Sequence, residues 1–273
     1  MVADVKRVIR VLGTSTQPIE AELDDGRRAF VKVQGNPEGP AALACELIGT
    51  RLAAHLGLAT FEMEVARFPD ELCAALAPEM TAEPGPCVAT TAIDGISWDG
   101  SDELLDAVEN PEHIATLVLL DTWLRNPDRY MRRGTEPYQN LGNVFLAETG
   151  ASRGSYRLLA IDHTHCIRRD RELGARCLAA SAEEDTAIYG LFPAFESQIE
   201  PEDLAESIRR LDELARSPAI DDVIDATPAE WIRDVQIRRD LSGFLKRRAA
   251  FVAANMESWL VGPLGWTATT RTS

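Results

Sequence analysis

Apolar and polar positions alternate from Val5 to Leu12, in a stretch rich in β-branched residues, which predicts a half-buried strand. Gly13-Thr-Ser-Thr-Gln-Pro18 interrupts it as a turn, and Ile19 to Leu23 resumes it. Asp24-Asp-Gly26 has the chemistry of a tight turn, and Ala29 to Gln34 completes an antiparallel meander. After the loop Gly35-Asn-Pro-Glu-Gly-Pro40 the period changes. Leu43, Leu47, Ile48 and Leu52 recur at helical spacing until Gly57 stops the run. Phe61 to Phe68 and Cys87 to Ile93 read as further strands, with a short helix over Pro69 to Leu76 between them.

Asn110-Pro111 reads as a helix start, with Asn as N-cap and Pro at the first helical position. Ile114, Leu117, Val118, Asp121 and Leu124 run along that helix. The stretch from Asn126 to Gln139 reads as a polar, Arg-rich loop. Asn143 to Ala147 and Tyr156 to Ile161 form a strand pair across Glu148 to Ser155. Beyond about residue 170 the pattern turns helical. Pro201 to Arg216 carries Leu204, Ile208, Leu211 and Leu214 on one face, Thr227-Pro-Ala-Glu230 reads as a capping box, and Asp240 to Leu260 reads as a long closing helix. The small, polar tail after Gly262 is expected to fray. The pattern predicts an α+β chain with a β-rich N-terminal part, residues 1–95, and a helical C-terminal part, residues 96–273. The linker falls near Asp94 to Ser101 and a hinge within Thr90 to Gly95.

Composition narrows the class. The 273 residues suit one large domain or two lobes around a cleft. The 28 Lys and Arg stand against 44 Asp and Glu, a net charge of −16, which argues against a nucleic-acid partner because phosphate backbones need clustered cations. The five cysteines, Cys45, Cys73, Cys87, Cys166 and Cys177, form no CxxC pair and read as reduced thiols. The chain opens without a basic-then-apolar leader and contains no run of about 18 apolar residues. A cytoplasmic protein without a membrane partner is the expectation.

The candidate chemistry lies in three places. Leu120-Asp-Thr-Trp-Leu-Arg-Asn-Pro-Asp-Arg129 puts a carboxylate in a loop, Asn143 then opens an apolar run, and Asp162 closes a second one. Phosphoryl transfer needs that order: Asp128 to orient the attacking hydroxyl, then Asn143 and Asp162 as hard oxygen ligands for magnesium at the ATP phosphates. Asn140 competes with Asn143; Asn143 is preferred because Val144-Phe-Leu146 continues directly into a strand. Lys32 in the third strand and Glu46 in the following helix are the pair that kinases use to hold the α- and β-phosphates. Gly13, Thr14, Ser15, Thr16 and Gln17 offer backbone donors and hydroxyls that suit a loop folded over phosphates, although they spell neither G-x-G-x-x-G nor a Walker loop. Asp121 on an apolar helix face must be paired, with Arg129 as its partner. A zinc site at Asp162, His163 and His165 lacks supporting His or Cys spacing, and no G-x-S-x-G elbow supports a hydrolase.

From about Val8 to Ile167 the chain resembles the HipA-like kinases, on Ser15-Thr-Gln-Pro18, Val31-Lys-Val33, Glu46 in Leu43-Ala-Cys-Glu-Leu-Ile48, Leu56-Gly-Leu58, Asp121 to Arg129, Asn143-Val-Phe-Leu146 and Ile161-Asp-His163. The resemblance implies a bilobal fold related to protein kinases and phosphoinositide kinases. It implies that Lys32 contacts ATP phosphates, Asp128 is the catalytic aspartate, and Asn143 and Asp162 bind magnesium. It places Ser15 at a position that such kinases autophosphorylate. The expected acceptor is Ser or Thr of a protein, and an antitoxin-type protein is the implied partner. Two departures stand out: Tyr130 replaces the usual His after Asp-Arg, and the chain starts at the kinase strands, where HipA-like toxins often carry a further N-terminal subdomain. The competing expectations are a pseudokinase that binds nucleotide without turning it over, and a small-molecule kinase.

Overall fold

In the computed structural model of the chain, residues 2–76, 80–133, 136–150, 154–168, 171 and 173–265 are described. The expected frayed tail therefore lies, from residue 266 on, outside the described residues. Five strands form the first sheet: β1 (Val5–Val11), β2 (Ile19–Leu23), β3 (Arg28–Gln34), β4 (Met63–Phe68) and β5 (Glu83–Thr91). Their order is β1-β2-β3-β5-β4, and every pairing is antiparallel. Alternation in β3 sends Ala29, Val31 and Val33 into one core with Val5, Ile19, Ala21, Phe68 and Cys87, and turns Lys32 to the opposite face. The strand expected to begin at Cys87 begins four residues earlier, at Glu83, and pairs with both β3 and β4.

Helix α1 (Pro40–His55) crosses that opposite face. Gly39 enters it at φ 78 and Gly57 leaves it at φ 85, two left-handed positions that a Cβ would strain. The sequence pattern predicts one apolar stripe, but α1 is buried on all sides, because its other faces are covered by the C-terminal helices. Short α2 (Asp70–Leu76) lies between β4 and β5, as its pattern predicts.

The segment expected to be a linker is structured. Gly95–Ser97 forms β6, which pairs with β9 (Val144–Glu148), itself paired with β10 (Tyr156–Ala160). The stretch expected as a loop before Gln139 holds a hairpin of β7 (Tyr130–Arg133) and β8 (Glu136–Gln139). Between these strands, α3 (Asp102–Asp106) and α4 (Glu112–Leu124) lead into the polar loop at Asn126. Asn110 does not cap α4. Its amide bonds the Leu158 carbonyl at 3.0 Å and accepts from the Leu158 N–H at 2.9 Å, so it stitches the helix start to β10, while Pro111 takes the cap position.

The C-terminal part adds α5 (Ala180–Glu183), α6 (Pro201–Arg216), α7 (Ala219–Asp225) and α8 (Val235–Leu260). The capping box expected at Thr227 opens no helix. The Thr227 hydroxyl instead bonds back to the Val223 carbonyl at 2.9 Å. The last helix begins five residues before Asp240, where Asp234 caps it by accepting from Gln236 N at 2.8 Å. Arg248 on α8 is fully buried and donates to the carbonyls of Thr122, Trp123, Glu183 and Asp185 at 2.7–3.1 Å. Two of those are last-turn carbonyls of α4 that have no partner within the helix. A buried cation thus fixes the end of α4, immediately before the loop that carries Asp128. All five cysteines are free, four of them buried. Among the described residues no helix is long and apolar enough to cross a membrane.

Candidate functional site

Lys32 leaves β3 towards α1, and its ammonium meets Glu46 Oε2 at 2.9 Å and Asp162 Oδ1 at 3.4 Å. The three groups share the charge unevenly. Burial works against charge on Lys32, but Asp162 and Glu46 outweigh it and hold the ammonium above its ordinary range. Burial also opposes ionisation of Asp162, yet Lys32 and the Thr164 hydroxyl hold its carboxyl well below the usual range. Glu46 moves the other way, pushed up by burial and then by Asp162 against the pull of Lys32. Asp162 is therefore the strong acid of the trio, and its side chain is about one-third exposed (34%).

Asp162 stands at φ 52, a left-handed conformation uncommon for residues other than glycine and a mark of imposed geometry. Two contacts impose it. The N–H of His163 donates to Glu46 Oε2 at 3.1 Å, and Gly49 lets α1 approach so closely that a Cβ there would lie 2.4 Å from His163 Cβ. His163 packs with Nδ1 3.2 Å from the Thr50 hydroxyl, and burial, then Arg129, lowers it to about 3, so the ring is neutral. Downstream, buried Arg168 donates to the Thr164 carbonyl at 2.7 Å and to Glu38 Oε2 at 2.6 Å, which ties the segment after Asp162 to the loop before α1.

The second group of residues grows from the end of α4. Arg125 closes that helix at φ 53. Arg129 donates to Asp121 Oδ2 at 2.7 Å, and Asn126 donates to Asp121 Oδ1 at 3.0 Å. Gly190 adjoins this brace at φ 75, where a Cβ would sit 2.4 Å from Asp121 Oδ2. With its fold braced from behind, the loop presents Asp128 forward. Asn143 Nδ2 donates to Asp128 Oδ2 at 2.9 Å, and the Tyr138 hydroxyl donates to Asp128 Oδ1 at 2.8 Å. Arg129 also donates to the Ile161 carbonyl at 2.8 Å, so one guanidinium joins the Asp128 loop to the strand end that carries Asp162.

Of the residues singled out in the sequence, the structure brings together Lys32, Glu46 and Asp162, and separately Asp128 and Asn143. Gly13 to Gln17 form a loop closed by its own backbone bonds, Leu12 N to Pro18 O at 2.8 Å and Gln17 N to Thr14 O at 3.0 Å. The register that pairs Ile19 with Val31 carries this loop past Lys32. Gly13, Thr14 and Ser15 are exposed, Thr16 is buried, and Gln17 takes φ 46. Tyr130, which replaces the family His, is buried against Phe192 with ring centroids 4.9 Å apart. Sequence reasoning missed Tyr138, Thr164, Arg168 and Glu38. The only signal for Tyr138 was an aromatic two residues before Asn140, in a stretch read as loop.

The donor set suits a hard cation better than zinc. Among the described residues no group of three or more His, Cys, Asp or Glu converges on one point. Asn143 spends its amide nitrogen on Asp128, and among the described residues its carbonyl oxygen accepts no hydrogen bond. That oxygen and the Asp162 carboxylate are hard oxygen donors, the type that suits a small divalent cation alongside phosphates and water.

Two comparisons place the chain. A family model described as HipA-like kinase matches residues 5–249. The crystal structure of CtkA, a proinflammatory kinase of Helicobacter pylori, superposes with a TM-score of 0.61 over 95% of this chain and 96% of that one. Identity between the two is 14%, so this likeness shows the fold, a bilobal kinase-like arrangement of antiparallel sheet and helices. No curated protein matches the chain.

Proposed function

This chain belongs to the HipA-like kinase family, and on that premise we propose an ATP- and magnesium-dependent kinase that transfers the γ-phosphoryl group to a Ser or Thr hydroxyl of a protein. The observation that carries the reading is the bridge from Lys32 to Glu46 and Asp162, together with the Asp128–Asn143 pair, the two groups being joined through Arg129. Lys32 has three donors; Glu46 and Asp162 take two and leave one for a phosphate oxygen. Its raised pKa keeps it cationic at working pH. The Gly13 to Gln17 loop supplies backbone donors to the same phosphates. Asp128 accepts the proton of the attacking hydroxyl, and Asn143 fixes its carboxylate plane. Asn143 and Asp162 would hold magnesium, which neutralises phosphate charge when bound. Ser15, exposed in the loop, is an acceptor for self-modification that would disable that loop.

The chain's own contribution is positioning and preorganised charge. Arg129 and Asp121 fix the loop, Arg248 fixes the helix behind it, and Glu46 holds both Lys32 and the His163 backbone. The test is ATP turnover with magnesium in the wild type, Asp128→Ala and Asp162→Ala. The expected result is loss of turnover in both variants. Equal behaviour of all three proteins would overturn the assignment of catalysis to Asp128 and Asp162.

A further inference from the structure

One hydroxyl already lies on the carboxylate that the reading above assigns to the acceptor. Tyr138 on β8 donates to Asp128 Oδ1 at 2.8 Å, the separation a general base requires of the proton it removes. Asn143 fills the other oxygen, so the Tyr138 hydroxyl takes the place an attacking hydroxyl needs. The phenol also feels Asp162: burial, then Asp128, and more weakly Asp162, push it up to about 12, so it is neutral and keeps a proton to give. The side chain is not held there by packing, for Tyr138 is 45% exposed. The hairpin that carries it is anchored at its base, by buried Tyr130 against Phe192 and by Asn140 N to Arg129 O at 2.9 Å. The hydroxyl thus has a short tether to the reacting carboxylate and freedom to leave it.

We propose that Tyr138 is a phosphoryl acceptor in cis, so that this kinase modifies its own β7–β8 hairpin. The inference rests on the kinase reading of the same site. A bond forms between Tyr138 Oη and the γ-phosphorus of ATP, and the bond from that phosphorus to the β,γ-bridging oxygen breaks. ADP departs with the electron pair, and the phenolic proton passes to Asp128 and on to solvent. The product carries a charge of about −1.5 to −2 facing the Asp128 and Asp162 carboxylates, and like-charge repulsion drives it from the site. Transfer thereby frees Asp128 for another hydroxyl.

The experiment incubates the full chain with magnesium and γ-labelled ATP across a range of protein concentrations, measuring ADP release alongside peptide mass spectrometry. The expected result is phosphate on Tyr138, appearing at a rate per molecule independent of protein concentration and absent in Asp128→Ala. Tyr138→Phe, a change at an exposed side chain, is expected to lose that label and keep any label on Gly13 to Pro18. Sustained ADP release with Tyr138 unmodified overturns this inference and leaves the kinase reading standing. Absence of both ADP release and label overturns the two together. A rate per molecule that rises with protein concentration overturns transfer in cis.

Discussion

Two charge clusters lie within the same fold and look alike on distance alone. Arg129 meets Asp121 at 2.7 Å, and Lys32 meets Glu46 at 2.9 Å. They differ in access. Both side chains of the first pair are fully buried, and Asn126 completes the Asp121 carboxylate. The second cluster keeps Lys32 16% and Asp162 34% exposed, and it carries two acids for one base. A closed ion pair can only brace; an open one with an unshared donor and oxygen can trade partners with a ligand. The geometry of a pair therefore says less about its role than what it leaves unmatched.

The largest effect is expected at the closed pair. Asp121→Ala strands a buried guanidinium and should cost about 3–5 kcal/mol, read as a fall in the urea midpoint. An unchanged midpoint would dissolve the contrast. At the open cluster the balance reverses. Asp162→Asn should lower kcat at least about 100-fold, roughly 2.7 kcal/mol of barrier, while the unfolding midpoint stays close to wild type. Glu46→Gln acts through Lys32 and the His163 backbone and should raise the KM for ATP by about 10-fold, with a smaller change in kcat. The smallest effect concerns Asp185, which holds Arg125 at 2.9 Å. Burial raises its carboxyl, but the Ala187 N–H, Arg125 and Tyr189 outweigh it and leave the folded value low. Its contribution is then fully present above the unfolded value of about 3.9 and is lost as pH falls through the folded one. Urea midpoints at mildly and strongly acidic pH should show a steeper acid loss in wild type than in Asp185→Asn.

The parts of this arrangement that were legible in the sequence are those where one residue type forces one answer. Asp121 on an apolar helix face demanded a cation, and Arg129 was within reach. A strand Lys before a helix Glu predicted their meeting. Local signals failed where a distant part of the chain offered a better partner. Asn110 looked like a cap until β10 supplied a carbonyl and an N–H. Thr227 had the spacing of a capping box, but Val223 was closer. Arg248 carries no local signal within its long helix, because its four carbonyl partners come from segments 63–126 residues away in sequence. Tyr138 was hidden by the Arg-rich, Pro-containing composition of its hairpin, which resembles a loop.

Gly49 carries a practical lesson for anyone engineering this chain. A glycine inside a 16-residue helix invites replacement, since alanine is worth about 1 kcal/mol more helix propensity. Here the added methyl would lie 2.4 Å from His163 Cβ and push apart the helix and the turn that sets Asp162. Propensity-guided replacement of Gly49 would set that methyl against the turn and misalign the carboxylate, whatever the helix itself gains.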